Sequence, residues 1–343
     1  MVRIRSNVAR LSVPLPKRVG PAGLHPGEAV SPKPEPETEK ENPQMLIRRE
    51  RINQTACQRW GLPPHLFSLN DVQTAADMFA SPHIRYVRNA LHGAADLGEY
   101  VAIVGESGAG KTTLRLDFEE YAAAKHGERL IIIKPHPREP GRATGKPLRA
   151  NQIEAAFFRA LAPNAARKSN PDDRTDQIAE LLTASAKARN RHLLVIDEAH
   201  RLPIDTLKQL KNFAELRQGR MGVLGVALFG QPELLTLLSD RNPEVREVMQ
   251  RFEVIELQPL DNDLAAYLRH KLERAGVKYE DVFEADAADA IRARLTSLPR
   301  GGKASDARSI CHPLVVGNLV SRALNAAAQA GWPKVDAQVI AGV

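Results

Sequence analysis

The segment Gly105-Glu106-Ser107-Gly108-Ala109-Gly110-Lys111-Thr112 sets glycines, a lysine and a hydroxyl in the order GxxxxGK[ST]. Each residue type has a physical task in such a loop. Glycines let the main chain wrap closely round phosphate oxygens, with successive N–H groups turned inward. A helix that starts at the lysine adds the favourable end of its dipole. Lys111 supplies a point charge for β- and γ-phosphates, and Thr112 a hydroxyl for Mg2+. Thr113 closes the stretch expected to touch nucleotide. The apolar run Tyr100–Val104 before the loop and the amphipathic stretch Leu114–Tyr121 after it provide the strand–loop–helix setting that the motif requires.

A second constellation is Leu193-Leu194-Val195-Ile196-Asp197-Glu198, a buried-strand run ending in two acids. Alone, the acids could simply cap the next helix. Downstream of a complete phosphate-binding loop they read as metal ligand and base: Asp197 for Mg2+, Glu198 to polarise the attacking water. Gln231, in Leu228-Phe229-Gly230-Gln231-Pro232, ends the fourth strand run. It is expected beside the second and third runs, where its amide would meet the γ-phosphate or the lytic water. The alternative is a turn residue before a helix with Pro232 at its first position. Arg251, and after it Arg246, precede the last strand run. From there an arginine can reach a neighbouring subunit's γ-phosphate. The alternative is ordinary surface ion pairing.

These residues need a scaffold. Aliphatic runs at Tyr100–Val104, Leu130–Ile133, Leu193–Ile196, Val223–Phe229 and Phe252–Leu257 alternate with helical patterns such as Leu207, Leu210, Phe213, Ala214 and Leu216. The spacing predicts an α/β fold: a parallel five-stranded sheet between helices, over residues 98–259. After Pro259 no strand run follows. Residues 261–276, 284–297 and 312–330 read as helices, so residues 260–343 are expected to form a small helical domain. Residues 1–43, rich in proline and charge, read as a disordered tail. Residues 44–97 read as a helical segment: one helix over 44–60 with Leu46, Ile47, Ile52 and Trp60 as contacts, then helices over 70–97 with Pro82 near the start of the second.

The 343 residues are 43% hydrophobic and 26% charged, ordinary values for a globular chain. The two cysteines, Cys57 and Cys311, form no metal-spaced pair, so a reducing compartment is the natural reading. No apolar run approaches the ~20 residues of a spanning helix. A cytoplasmic protein with no membrane association is expected. The net charge of +7 allows a polyanionic partner without requiring one. Its cations cluster after the second strand run: Lys134, Arg138, Arg142, Lys146 and Arg149 lie in a Pro- and Gly-rich segment. That composition suits phosphate contacts on duplex DNA, or else a solvated loop. Lys208, Lys211 and Arg217 read as one helical stripe that adds contacts, or as a solvated face opposite Leu207 and Leu210. Arg292, Arg294, Arg300, Gly301, Gly302, Lys303 and Arg308 make a further basic stretch. No aromatic residue is interleaved with these runs, which disfavours a base-stacking platform.

Taken together, the phosphate loop, Ile196-Asp197-Glu198-Ala199-His200, Gly230-Gln231-Pro232-Glu233-Leu234 and the arginines before Val254–Leu257 resemble AAA+ ATPases. The branch is the ExeA-like and transposition-helper group, that of the phage Mu B protein and TnsC, which accompany DDE transposases. Leu207-Lys208-Gln209-Leu210-Lys211 and Val245-Arg246-Glu247-Val248 look most like the Mu-type helpers. The resemblance implies an AAA+ P-loop core with a helical lid, cofactors ATP and Mg2+, and a slow, DNA-stimulated ATPase. It implies a homo-oligomer, ring or filament, that assembles on duplex DNA and activates a transposase. It places Walker A at Lys111 and Thr112, Walker B at Asp197 and Glu198, sensor 1 at Gln231 and an arginine finger near Arg251. One departure stands out. Where such lids carry a sensor arginine, this chain reads Cys311-His312-Pro313-Leu314. The alternative is an ExeA-like assembly ATPase, or a helicase-loader type of switch, acting on a protein client.

Overall fold

The apolar run Tyr100–Val104 is buried along its whole length and forms the first strand, β1. The structure, a computed structural model, describes residues 49–68, 71–135, 148–239, 245–297 and 307–343. In chain order, α1 (Gln54–Trp60) and α2 (Pro82–Leu97) precede β1, and α3 (Lys111–His126) follows it. Then come β2 (Leu130–Ile133), α4 (Ala150–Leu161), α5 (Pro171–Lys187) and β3 (Arg191–Ile196). They lead into α6 (Ile204–Ala214), β4 (Leu224–Gly230), α7 (Glu233–Leu237), α8 (Arg246–Met249) and β5 (Phe252–Glu256). The five strands form one parallel sheet in the order β2-β3-β4-β1-β5. The fourth strand thus lies between the third and the first, not beside the second as the sequence suggested. Strand order is set by crossover packing, to which strand composition is blind.

Side chains alternate across this sheet as its pleat requires. Val101 and Ile103 join Leu91 and Ala94 of α2 and Leu114 and Phe118 of α3 on one face. Ala102 and Val104 join Phe157 of α4, Leu182 of α5 and Leu210 of α6 on the other. Pro82 occupies the first turn of α2, and the Ser81 hydroxyl accepts the Ile84 N–H to cap it.

The C-terminal part is helical: α9 (Leu264–Arg274), α10 (Tyr279–Val282), α11 (Ala287–Arg294), α12 (Pro313–Ala330) and α13 (Ala337–Ala341). The expected helix over 261–276 is shorter, and that over 284–297 ends at Arg294. Strand structure does occur after Pro259: Thr296–Ser297 pairs with Arg308–Ser309. Pairs of two residues leave no apolar run to read. Ile52, Trp60, Leu62, Leu66 and Phe67 belong to the same core as α9–α13. The first helix begins only at Gln54, because Asn53 caps it. Residues 49–53 are not helical, and 44–48 lie outside the described residues. Asn325, buried on α12, straps this stretch down. Its Oδ1 accepts the Asn53 N–H at 2.8 Å, and its Nδ2 donates to Glu50 Oε1 and Arg51 O at 2.6 and 2.9 Å. Among the described residues no helix is long and apolar enough to cross a membrane, and both cysteines are free thiols.

Candidate functional site: a phosphate loop at the sheet's carboxyl edge

Parallel register brings the chemistry to one edge. Val104 pairs with Gly230, and Ile196 with Leu228. The residues that follow these strand ends are the phosphate loop, Asp197 and Gln231. Ligands bind at this edge of open α/β sheets. The loop is pinned to the neighbouring strand by the Gly105 N–H, which donates to Gly230 O at 3.1 Å.

Two glycines make the loop's turn possible. Gly108 and Gly110 take φ values of +82° and +96°, left-handed backbone that a side chain strains. Gly108 also lies under the C-terminal helices. The Leu314 N–H donates to Gly108 O at 3.3 Å, and an added Cβ at Gly108 would sit 2.6 Å from Leu314 Cβ. Lys111 curls back over the loop: its Nζ donates to Gly105 O at 2.7 Å and Glu106 O at 2.9 Å. Burial pushes the Lys111 pKa down, and the charges of Glu198, Asp197 and Glu106 work against that shift.

Asp197 and Glu198 are half exposed at the end of β3. Glu198 sits in the left-handed region at φ +54°, a strained conformation for this residue. Asp197 Oδ1 accepts the Glu198 N–H at 2.9 Å and so fixes the turn. The Gln231 main-chain N–H points at His200 Nδ1, 3.3 Å away. Nδ1 must therefore accept, which leaves the ring proton on Nε2, and Nε2 lies 3.7 Å from Glu198 Oε2. One imidazole thus spans Gln231 and Glu198.

The residues fit a nucleoside triphosphate with Mg2+. Lys111 already grips two oxygens at the distance at which an ammonium meets phosphate. Thr112 and Asp197 offer the hard oxygen donors that Mg2+ takes alongside phosphate oxygens and water. Among the described residues no group of three or more His, Cys, Asp or Glu is placed to hold a metal unaided.

Arg251 lies at the opposite edge. It precedes Phe252, the register partner of Tyr100 at the start of β1. At about 3.3 Å per residue, four residues along β1 put it roughly 13 Å from the loop's base. It cannot serve its own subunit's phosphates from there. Its Nη2 lies 3.4 Å from Glu215 Oε1. Arg246 is exposed at the start of α8.

The cations expected to meet DNA are placed variously. Lys134 pairs with Glu119 at 2.6 Å, and Lys211 with Glu247. The Lys208 ammonium lies 4.0 Å from Asp205. The Arg149 N–H is capped by Gln152 Oε1 at the start of α4. Arg138, Arg142 and Lys146 lie outside the described residues, as do Arg300, Gly301, Gly302 and Lys303. Arg217 is not on the stripe of Lys208 and Lys211. The helix stops at Ala214, and Arg217 falls in a two-residue strand paired with Met221–Gly222. Arg292 pairs with Asp289, and Arg308 belongs to the short strand pair.

Three features escaped sequence reasoning. Arg115 stands in ion-pair range of Asp197, and His200 bridges two strand ends. A cavity of about 380 Å3 between α4 and the start of α5 is lined by Arg159, Arg167, Lys168 and Arg174. Arg115 follows Thr112 by three helical positions, a spacing that could have flagged it.

Residues 97–238 match the family model described as AAA domain. The fold is that of an AAA+ P-loop NTPase. Among solved structures, the chain is similar to Cdc6p from Pyrobaculum aerophilum, at 19% identity over 80% of this chain and 68% of that one, with a TM-score of 0.50. The Aeropyrum pernix ORC2 protein matches at 17% identity over 80% and 70%, TM-score 0.47. A RuvB variant from Thermotoga maritima matches at 16% over 78% and 71%, TM-score 0.41. At such identities the likeness speaks for the fold alone. No curated protein matches the sequence.

Proposed function

We propose that this protein is an ATPase that binds duplex DNA with little sequence preference, oligomerises on it when ATP is bound, and there marks a target and activates a DDE transposase. The observation that carries the ATPase half is the meeting of Lys111, Thr112, Asp197, Glu198 and Gln231 at one sheet edge. Bound Mg2+ would neutralise charge on the phosphates during phosphoryl transfer to water. Thr112 and Asp197 are the residues to hold it. Lys111 exchanges its two loop carbonyls for β- and γ-phosphate oxygens. Glu198 takes the proton of the attacking water, with His200 Nε2–H steadying the carboxylate. Gln231 hydrogen-bonds the γ-phosphate or that water. Arg251, too far from its own loop, supplies its charge to a neighbouring subunit's γ-phosphate. The C-terminal helices act as a lid through Leu314, without a sensor arginine.

The DNA half is supported by charge. Lys134 and Arg149 flank the stretch that carries Arg138, Arg142 and Lys146, while Lys208 and Lys211 lie on α6. Arg159, Arg167 and Lys168 add a basic groove on α4 and the loop after it. Phosphate contacts of this kind bind duplexes without reading bases. A second reading, a nucleotide switch acting on a protein client, is favoured by one observation: Lys134 and Lys211 already have acidic partners. Phosphate release by the full chain, measured with and without random-sequence duplex across chain concentrations, tests the proposal. Turnover that rises with both duplex and chain concentration supports it. Turnover indifferent to duplex would leave the protein-client reading in its place.

A further inference from the structure

An unbroken run of ion pairs leads from the end of β2 to the metal carboxylate. Lys134 Nζ lies 2.6 Å from Glu119 Oε2. The other oxygen, Glu119 Oε1, accepts from Arg115 Nη1 at 2.9 Å. Arg115 Nε lies 3.3 Å from Asp197 Oδ2. Thr112, Arg115 and Glu119 follow one another at i, i+3 and i+7 on α3, one stripe of the helix that the phosphate loop opens.

The links are unequal. Arg115 has a hydrogen bond to Glu119, but its buried Nε has no hydrogen-bond partner and only an ion-pair approach to Asp197. The guanidinium is therefore shared between two carboxylates, held firmly by one and loosely by the other. Lys134 competes with it for Glu119. Lys134, at the end of the run away from Asp197, is also open to solvent, with 38% of its side chain exposed against 12% for Glu119 and 19% for Arg115.

We propose that Arg115 is a positioning residue for Asp197, and that Lys134, through Glu119, sets how strongly Arg115 holds it. A backbone phosphate of the duplex that takes up Lys134 leaves Glu119 with Arg115 alone. The guanidinium is then drawn towards Glu119, and Asp197 is released for metal. A cation beside Asp197 opposes a dication there, so a looser Arg115 favours Mg2+. The identity of the anion rests on the duplex reading above; the ion-pair run does not.

The signs make this testable. The measurement is the half-saturating Mn2+ concentration, by electron paramagnetic resonance of free Mn2+, for the full chain with a non-hydrolysable ATP analogue. Lys134→Gln should lower it, and Glu119→Gln, which returns Arg115 to Asp197, should raise it, each by about fivefold. With Arg115→Gln in the background, neither change should move it further. Duplex should lower it in the wild type and leave Lys134→Gln unmoved. Shifts of the same sign, no shifts, or an undiminished response of Lys134→Gln to duplex would overturn the proposal. If duplex fails to bind the wild type at all, the DNA reading falls, and the opposite signs of the two variants alone decide the relay.

Discussion

Lys111 holds two main-chain carbonyls with an ammonium whose charge burial disfavours. Phosphate oxygens offer it the same geometry with full negative charge. Lys111→Ala should therefore weaken nucleotide binding by about 10–100-fold, the worth of a hydrogen bond to a charged group, read by titration of a fluorescent ATP analogue. Glu198→Gln should leave that affinity nearly intact and lower turnover by about 10²–10⁴-fold, since a base contributes on that scale. Arg251 sits a strand's length from its own loop. An inactive Arg251→Ala chain mixed with an inactive Lys111→Ala chain should therefore recover activity, because each supplies what the other lacks. No recovery would remove Arg251 from that role. The contiguous parts of the candidate site were legible in the sequence: the loop's glycines, Lys111, Thr112, Asp197 and Glu198 stand at positions fixed by local geometry. Arg115 and His200 were not, because each acts through a partner from another element.

Elements were legible where a long apolar run specified them. All five sheet strands lie within one or two residues of their runs. What was hidden is their order, the short strand pair after α11, and the union of Ile52–Phe67 with the C-terminal helices. Each of these depends on contacts far apart in sequence. Two variants probe such contacts. Gly108→Ala puts a Cβ in left-handed backbone and 2.6 Å from Leu314 Cβ, so it should weaken both the seat of α12 on the loop and nucleotide affinity, read by titration of a fluorescent ATP analogue. Asn325→Ala leaves the Asn53 N–H without its partner. An unsatisfied buried group costs about 1–3 kcal/mol, so denaturant unfolding should shift by that amount. The emission of Trp60 should move to the red as α1 loosens from α12.

For the whole molecule, three histidines tie stability to pH. Burial pushes His92, His192 and His312 below their ordinary value of 6.5. The folded protein takes up protons at these rings less readily than the unfolded chain does. The unfolded state then binds more protons, so stability falls as pH drops below about 6.5. Melting midpoints should decline from about pH 7.5 to pH 5.5, and less steeply in His312→Asn. The same molecule carries a net charge of +7, and the proposed function joins that charge to the phosphate loop: ATP binding would gate assembly on a polyanion. Fluorescence anisotropy of a labelled random-sequence duplex tests this most directly, with ATP, with ADP and without nucleotide, across a salt series, against Lys111→Ala. Tight binding only with ATP, absent in the variant and falling steeply with salt, is the predicted result. Equal, weak binding in all three nucleotide states would contradict the account.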